Sequence, residues 1–138
     1  MRALISFVFI LLAACGGSSL TFYDETGRKV ELKSDEPLLL YVWSGSCVGH
    51  AEDLKKLSRL YPELSKRYRV YAVALFMTPE DALAYLKKEK IRLSVPLLAD
   101  PKGLLEERYD LVFLPATLVI KDGKLVAVTP RLYEPKSR

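Results

Sequence analysis

The sequence predicts an α/β fold: a mixed central β-sheet flanked by helices on both faces, with an N-terminal β-hairpin extension. Three observations predict it. Apolar runs at Leu38–Trp43 and Val70–Phe76 have the composition of buried central strands, and each is followed by a helical pattern. Leu54, Leu57, Tyr61, Leu64 and Tyr68 recur at three- and four-residue spacing, which is one face of an amphipathic helix. Asp122-Gly123, set between the apolar run 114–120 and Lys124–Thr129, is a tight-hairpin signal that makes the last two strands antiparallel.

Taken in order, Leu20–Tyr23 and Lys29–Leu32 are short strand-like pieces around the turn signal Asp24-Glu25-Thr26-Gly27. Ser34-Asp35-Glu36-Pro37 breaks the chain before the strand Leu38–Trp43. In the helix that follows, Pro62 is expected to kink or restart the turn pattern, because proline lacks the N–H and crowds the preceding turn. After the strand Val70–Phe76, Thr78-Pro79-Glu80-Asp81 opens a second helix: a threonine cap, proline in the first turn, and acids near the positive end of the dipole. That helix is expected to reach about Lys90. Val95–Leu98 is a short strand, Asp100-Pro101-Lys102-Gly103 a turn, and Leu104–Tyr109 a short helix. The segment from Pro130 is polar and rich in proline and charge, so residues 130–138 are expected to be a loose tail.

The 138 residues suffice for one domain. The chain is 50% hydrophobic and 28% charged, with a net charge of +4, ordinary for a globular protein. Its basic pairs, Lys55-Lys56, Lys66-Arg67 and Lys87-Lys88, are mixed with acids inside helical segments and read as solvated faces. No basic stripe with interleaved aromatics is present, so no nucleic-acid partner is expected.

The first residues read as a targeting segment. Met1-Arg2 supplies a positive start, and residues 3–14 are almost continuously apolar, too short for a comfortable span and the right length for a signal-peptide core. Leu12-Ala13-Ala14-Cys15-Gly16 resembles the bacterial lipoprotein signal, in which the cysteine is diacylated and begins the mature protein. An uncleaved anchor helix and a plain secretory cleavage are the other two readings; segment length and cleavage-site composition favour the lipoprotein. The division is then signal peptide 1–14, a tether over 15–19 with lipid on Cys15, a domain over 20–129, and the tail. With Cys15 lipidated, Cys47 is the one free thiol, and no internal disulfide can form.

Cys47 stands in Trp43-Ser44-Gly45-Ser46-Cys47-Val48-Gly49-His50, at a strand-to-helix junction where backbone N–H groups and the helix dipole favour a thiolate. A loop following such a strand lies at the carboxyl edge of the sheet, where these folds place their chemistry. His50 falls three residues after Cys47, on the same helical face, where an imidazolium would lower the thiol pKa or a neutral ring act as base. The alternative is a neutral surface histidine.

Three segments together resemble the thioredoxin superfamily, in particular its membrane-tethered extracytoplasmic branch that includes the cytochrome c maturation proteins. They are the strand leading into Trp43–His50, with Asp53 where that family often has Glu; Asp100-Pro101-Lys102-Gly103 leading to the run 109–120; and the Lys121–Leu125 hairpin. The resemblance spans about Leu20 to Thr129. It implies a cis-proline at Pro115 beside Cys47, leaving the backbone of Leu114 free to pair with an extended substrate. Trp43, at the end of the strand, is expected to be a core residue that also walls the substrate groove. An ordinary trans-proline at a strand start is the other reading. The chain departs from the family at His50, which replaces the resolving cysteine, and at Ser46, where Trp is usual. It also lacks a final helical pattern after the hairpin.

The expected function is thiol–disulfide exchange, or reduction or isomerisation of partner disulfides, through the single nucleophile Cys47 assisted by His50. The protein would be lipid-anchored on the outer side of a membrane, act on protein thiols or disulfides, and work as a monomer without cofactor or metal. A non-catalytic binding module is the chief alternative. Copper handling in the manner of the Sco family would have only Cys47 and His50, with Met77 as a third candidate, too few ligands for a closed site. A peroxidase is suggested by Ser44-Gly45-Ser46-Cys47, but Leu40 stands where the peroxiredoxin motif opens with proline.

Overall fold

The computed structural model describes residues 20–32, 35–46, 50–130 and 132. Its strands are β1 (Leu20–Asp24), β2 (Lys29–Leu32), β3 (Leu38–Trp43), β4 (Arg69–Leu75), β5 (Leu97–Asp100), β6 (Ala116–Lys121) and β7 (Lys124–Pro130); its helices are α1 (His50–Leu64), α2 (Pro79–Lys88) and α3 (Leu104–Tyr109). The strands form one seven-stranded sheet in the order β2-β1-β5-β4-β3-β6-β7. β3, β4 and β5 run parallel, and the other pairings are antiparallel. The expected class, a mixed sheet with helices on both faces and an N-terminal hairpin, is the one observed.

Every residue of β3 is buried, so this strand carries both halves of the core. Leu39, Tyr41 and Trp43 pack with Leu54, Leu57 and Leu64 of α1 and Ala82 and Leu86 of α2. Leu38, Leu40 and Val42 pack on the other face with Leu105 of α3, Phe22 and Leu118. Each leucine, valine or phenylalanine among them contributes about 1.5–3 kcal/mol by leaving water.

β5 lies two residues later than the expected Val95–Leu98 and takes in Asp100, and three other differences from the sequence reading have identifiable reasons. Proline does not break α1, which runs through Pro62 to Leu64. The carbonyl that a residue-62 N–H would have engaged is that of Ser58. It accepts instead from Ser94 Oγ at 3.1 Å, while Ser58 Oγ accepts from Ser94 N–H at 3.2 Å. α2 stops at Lys88 because Lys90 turns into the left-handed region (φ 56°); its N–H reaches Lys87 O and that of Ile91 reaches Leu86 O, the paired bonds of a Schellman ending. At the C-terminus the fold continues past Thr129: Pro130 belongs to β7 opposite Ala116, and Leu132 packs against the α1–α2 side of the core. Pro130 and Leu132 are therefore part of the domain rather than a loose tail; residues 131 and 133–138 lie outside the described residues.

The Asp122-Gly123 hairpin has both residues at positive φ (51° and 76°), as a two-residue turn of the primed type requires. The segment 1–19, with its proposed signal and Cys15, lies outside the described residues. Among the described residues no helix is long and apolar enough to cross a membrane.

Candidate active site

The carboxyl edge of β3, β4 and β5 gathers the segments that the sequence marks. Val42 pairs with Ala116, so Leu114 and Pro115, which precede Ala116, come beside Ser44–Ser46, which follow Trp43. The Leu114–Pro115 peptide bond is cis, and both residues are half-buried. Cys47, Val48 and Gly49 lie outside the described residues; the chain is described up to Ser46, which is exposed, and again from His50, the first residue of α1.

Side chains from α1 and from the loop after β4 fix the turn before Cys47. His50 is fully buried, and its Nδ1 accepts the Ser44 backbone N–H at 2.9 Å. A ring nitrogen that accepts carries no proton, so the proton of this neutral imidazole sits on Nε2. His50 is therefore neither a surface side chain nor, in this arrangement, an imidazolium. Met77 Sδ, weighed above as a metal ligand, accepts the Gly45 N–H at 3.4 Å. Gly45 is seated so closely that a Cβ there would lie 3.0 Å from Tyr85 Cδ2 and 3.3 Å from Met77 Cε. The Ser44 and Ser46 hydroxyls are 3.1 Å apart.

Trp43 is 0% exposed and its ring packs on Tyr85, with centroids 5.1 Å apart. It is the core residue expected behind the turn, and with no exposed surface it is not also a wall of the groove. Tyr85 ionises only above its usual range, chiefly because burial disfavours the phenolate and secondarily because of the Glu89 charge.

Asp53, which stands where the family often has Glu, is paired inside the domain. It is buried in the first turn of α1, and its Oδ2 accepts the Tyr41 hydroxyl at 3.1 Å. Sequence reading missed this pairing, although a tyrosine inside an all-apolar strand was a usable signal, since a buried hydroxyl needs a partner. Asp100, at the end of β5, is also buried and accepts the backbone N–H groups of Leu104 and Leu105 at 2.8 and 2.9 Å, which caps α3.

Among the described residues no three His, Cys, Asp or Glu side chains come together to hold a metal ion. Leu40, where the peroxiredoxin motif would have proline, lies in the middle of β3 and pairs with Tyr71 on one side and Leu118 on the other.

This sheet, with a strand–turn–helix segment facing a proline loop at its carboxyl edge, is thioredoxin-like. The chain belongs to the AhpC/TSA family, whose model matches residues 18–128. No curated protein matches it. Among solved structures it is similar to StoA from Bacillus subtilis (17% identity, 83% of this chain and 88% of that one, TM-score 0.68). It is also similar to a putative thiol:disulfide interchange protein DsbE from Chlorobium tepidum (21%, 84% and 83%, TM-score 0.69). A third similar structure is the pneumococcal exposed lipoprotein thioredoxin Etrx1 from Streptococcus pneumoniae strain TIGR4 (22%, 85% and 92%, TM-score 0.63).

Proposed function

We propose that this protein carries out thiol–disulfide exchange through Cys47 on the outer side of a membrane, anchored by lipid on Cys15. The observation that carries the reading is the register of β3 with β6, which sets Leu114 and Pro115 beside the turn leading into Cys47. In the sequence Cys47 comes three positions before His50, the first residue of α1, and a thiol at the positive end of a helix is favoured as thiolate. The names of two similar structures, a thiol:disulfide interchange protein and an exposed lipoprotein thioredoxin, agree with the chemistry and with the location.

With one thiol the reaction has two balanced steps. The Cys47 thiolate attacks one sulfur of a partner disulfide, forming a mixed disulfide and releasing the other partner sulfur as a thiolate. An external thiolate then attacks the mixed disulfide, frees Cys47 as thiolate and leaves with the partner sulfur as a new disulfide. His50 holds the turn for this chemistry as a positioning residue, through the bond from Ser44 N–H to its Nδ1. Leu114 and Pro115 form the wall against which an extended partner segment lies.

The test is incubation of the full chain with glutathione disulfide, read by mass. A single glutathione adduct on Cys47, formed faster than on an ordinary thiol, released by added thiol and absent in Cys47→Ser, is expected. A thiol that forms no adduct, or a cellular function kept by Cys47→Ser, overturns exchange and leaves a thioredoxin-like binding module.

A further inference from the structure

The sheet topology fixes where the chain enters the domain relative to the site. β1 runs antiparallel to β5, with Tyr23 opposite Ala99 and Asp24 opposite Leu98. Ala99 is level with Ala74, and Ala74 with Trp43. Leu20 is three residues before Tyr23, so it projects about 10 Å past that level, toward the carboxyl edge. Sideways, β1 stands three strand spacings from β3, about 14 Å. The first described residue and the turn leading to Cys47 thus emerge at the same edge.

The sequence joining Cys15 to Leu20 is Gly16-Gly17-Ser18-Ser19. Fully extended it reaches at most about 18 Å, and a glycine–serine chain of that length averages on the order of 12 Å. The same edge displays apolar side chains. Phe76 is 56% exposed where the chain leaves β4 and lies over Gly103, whose added Cβ would be 2.2 Å from its ring. Val112 (81% exposed) and Phe113 (39%) precede the Leu114–Pro115 loop.

We propose that the anchor holds the carboxyl edge, site and apolar rim together, against the membrane surface, so that the partners of Cys47 are thiols and disulfides of membrane proteins close to the bilayer. This rests on the reading that Cys15 carries lipid and Cys47 carries the exchange. A soluble partner would have to enter between the edge and the bilayer. A membrane protein offers its cysteines within reach of the tether.

The experiment uses the full chain in membranes of expressing cells, in a Cys47→Ser background, with a donor fluorophore on Val112→Cys or on Arg67→Cys and an acceptor on lipid headgroups. Arg67 lies at the opposite edge, just before β4. Energy transfer from position 112 is expected to exceed that from 67 at least about twofold, since a domain of this size is roughly 35 Å across. Twenty Gly/Ser residues inserted after Ser19, spanning about 25 Å, should make the two positions equal. Equal transfer at the natural tether length, or stronger transfer from 67, overturns the orientation. Lipid uptake is read separately, as labelled palmitate lost in Cys15→Ala. No uptake by the natural chain overturns anchoring and, with it, the orientation. The partner class is read by trapping Cys47 adducts in the otherwise unaltered chain: mainly soluble adducts overturn it, and no adducts at all overturn exchange itself.

Discussion

His50 is buried and its Nδ1 accepts the Ser44 N–H, so the ring supports the turn that leads into Cys47. Replacing His50 by leucine leaves that N–H without its partner and is expected to cost about 1–3 kcal/mol, measured by urea denaturation. The midpoint of Cys47 alkylation against pH is expected to stay in place while the exchange rate falls; a midpoint moved by a unit would return His50 to tuning the thiol. A second residue-scale prediction concerns Asp24, whose carboxyl is held below its ordinary value of 3.8, first by the Thr26 hydroxyl and then by the Arg28 backbone N–H. A carboxyl whose pKa is lower folded than unfolded contributes stability above the unfolded value and loses that contribution as pH falls through the folded one. The β1–β2 turn should therefore loosen only below pH 3.8, and Thr26→Ala should raise the Asp24 pKa. Titration of the Asp24 carboxyl carbon by NMR checks both. That Leu114 and Pro115 come beside Ser44–Ser46 was legible in the sequence, because motif order and strand polarity determine it. The sequence did not show the bonds from His50, Met77 and Tyr41, which depend on side chains meeting across elements.

At the scale of elements, all seven strands and three helices were legible, because buried runs, helical spacing and turn residues are local signals. What failed was local reasoning about Pro62, whose missing N–H is compensated from outside its helix by Ser94, 36 residues away from Ser58. Tertiary contacts of this kind have no local signature. They do have a thermodynamic one. Ser94→Ala removes the hydroxyl from the Ser58 carbonyl and is expected to destabilise by about 1 kcal/mol. With Pro62→Ala the helix regains a residue-62 N–H aimed at that same carbonyl, so Ser94→Ala should cost less in that background. Denaturation of the two single variants and the double gives the coupling. Additive effects would show that the serine hydroxyl does not stand in for the lost helix bond.

Across the whole molecule, burial is graded from the middle of the sheet outward, and the site lies where the grades meet. β3 is buried along its full length and hydrogen-bonded to both β4 and β6, with one half of the core on each of its faces. β7 is an edge strand whose residues are mostly exposed, Val126 and Val128 among them, and β2 is the short opposite edge. Because edge strands have few buried contacts, they open without the rest of the domain. Native-state hydrogen exchange should therefore find the β3 and β4 amides exchanging only through global unfolding, with β2 and β7 opening locally at a free energy several kcal/mol lower. The site draws on both levels. Trp43, at the end of the fully buried β3, anchors the turn leading to Cys47, whereas Leu114 and Pro115 lead into β6, the neighbour of the β7 edge. Amides following Pro115 should accordingly exchange faster than their partners in β3, and binding of an extended partner beside that loop should slow the β6 amides while leaving β3 unchanged. If β3 and β7 exchanged at one common free energy, the domain would be a single cooperative unit, and the proline loop could not move independently of the turn it faces.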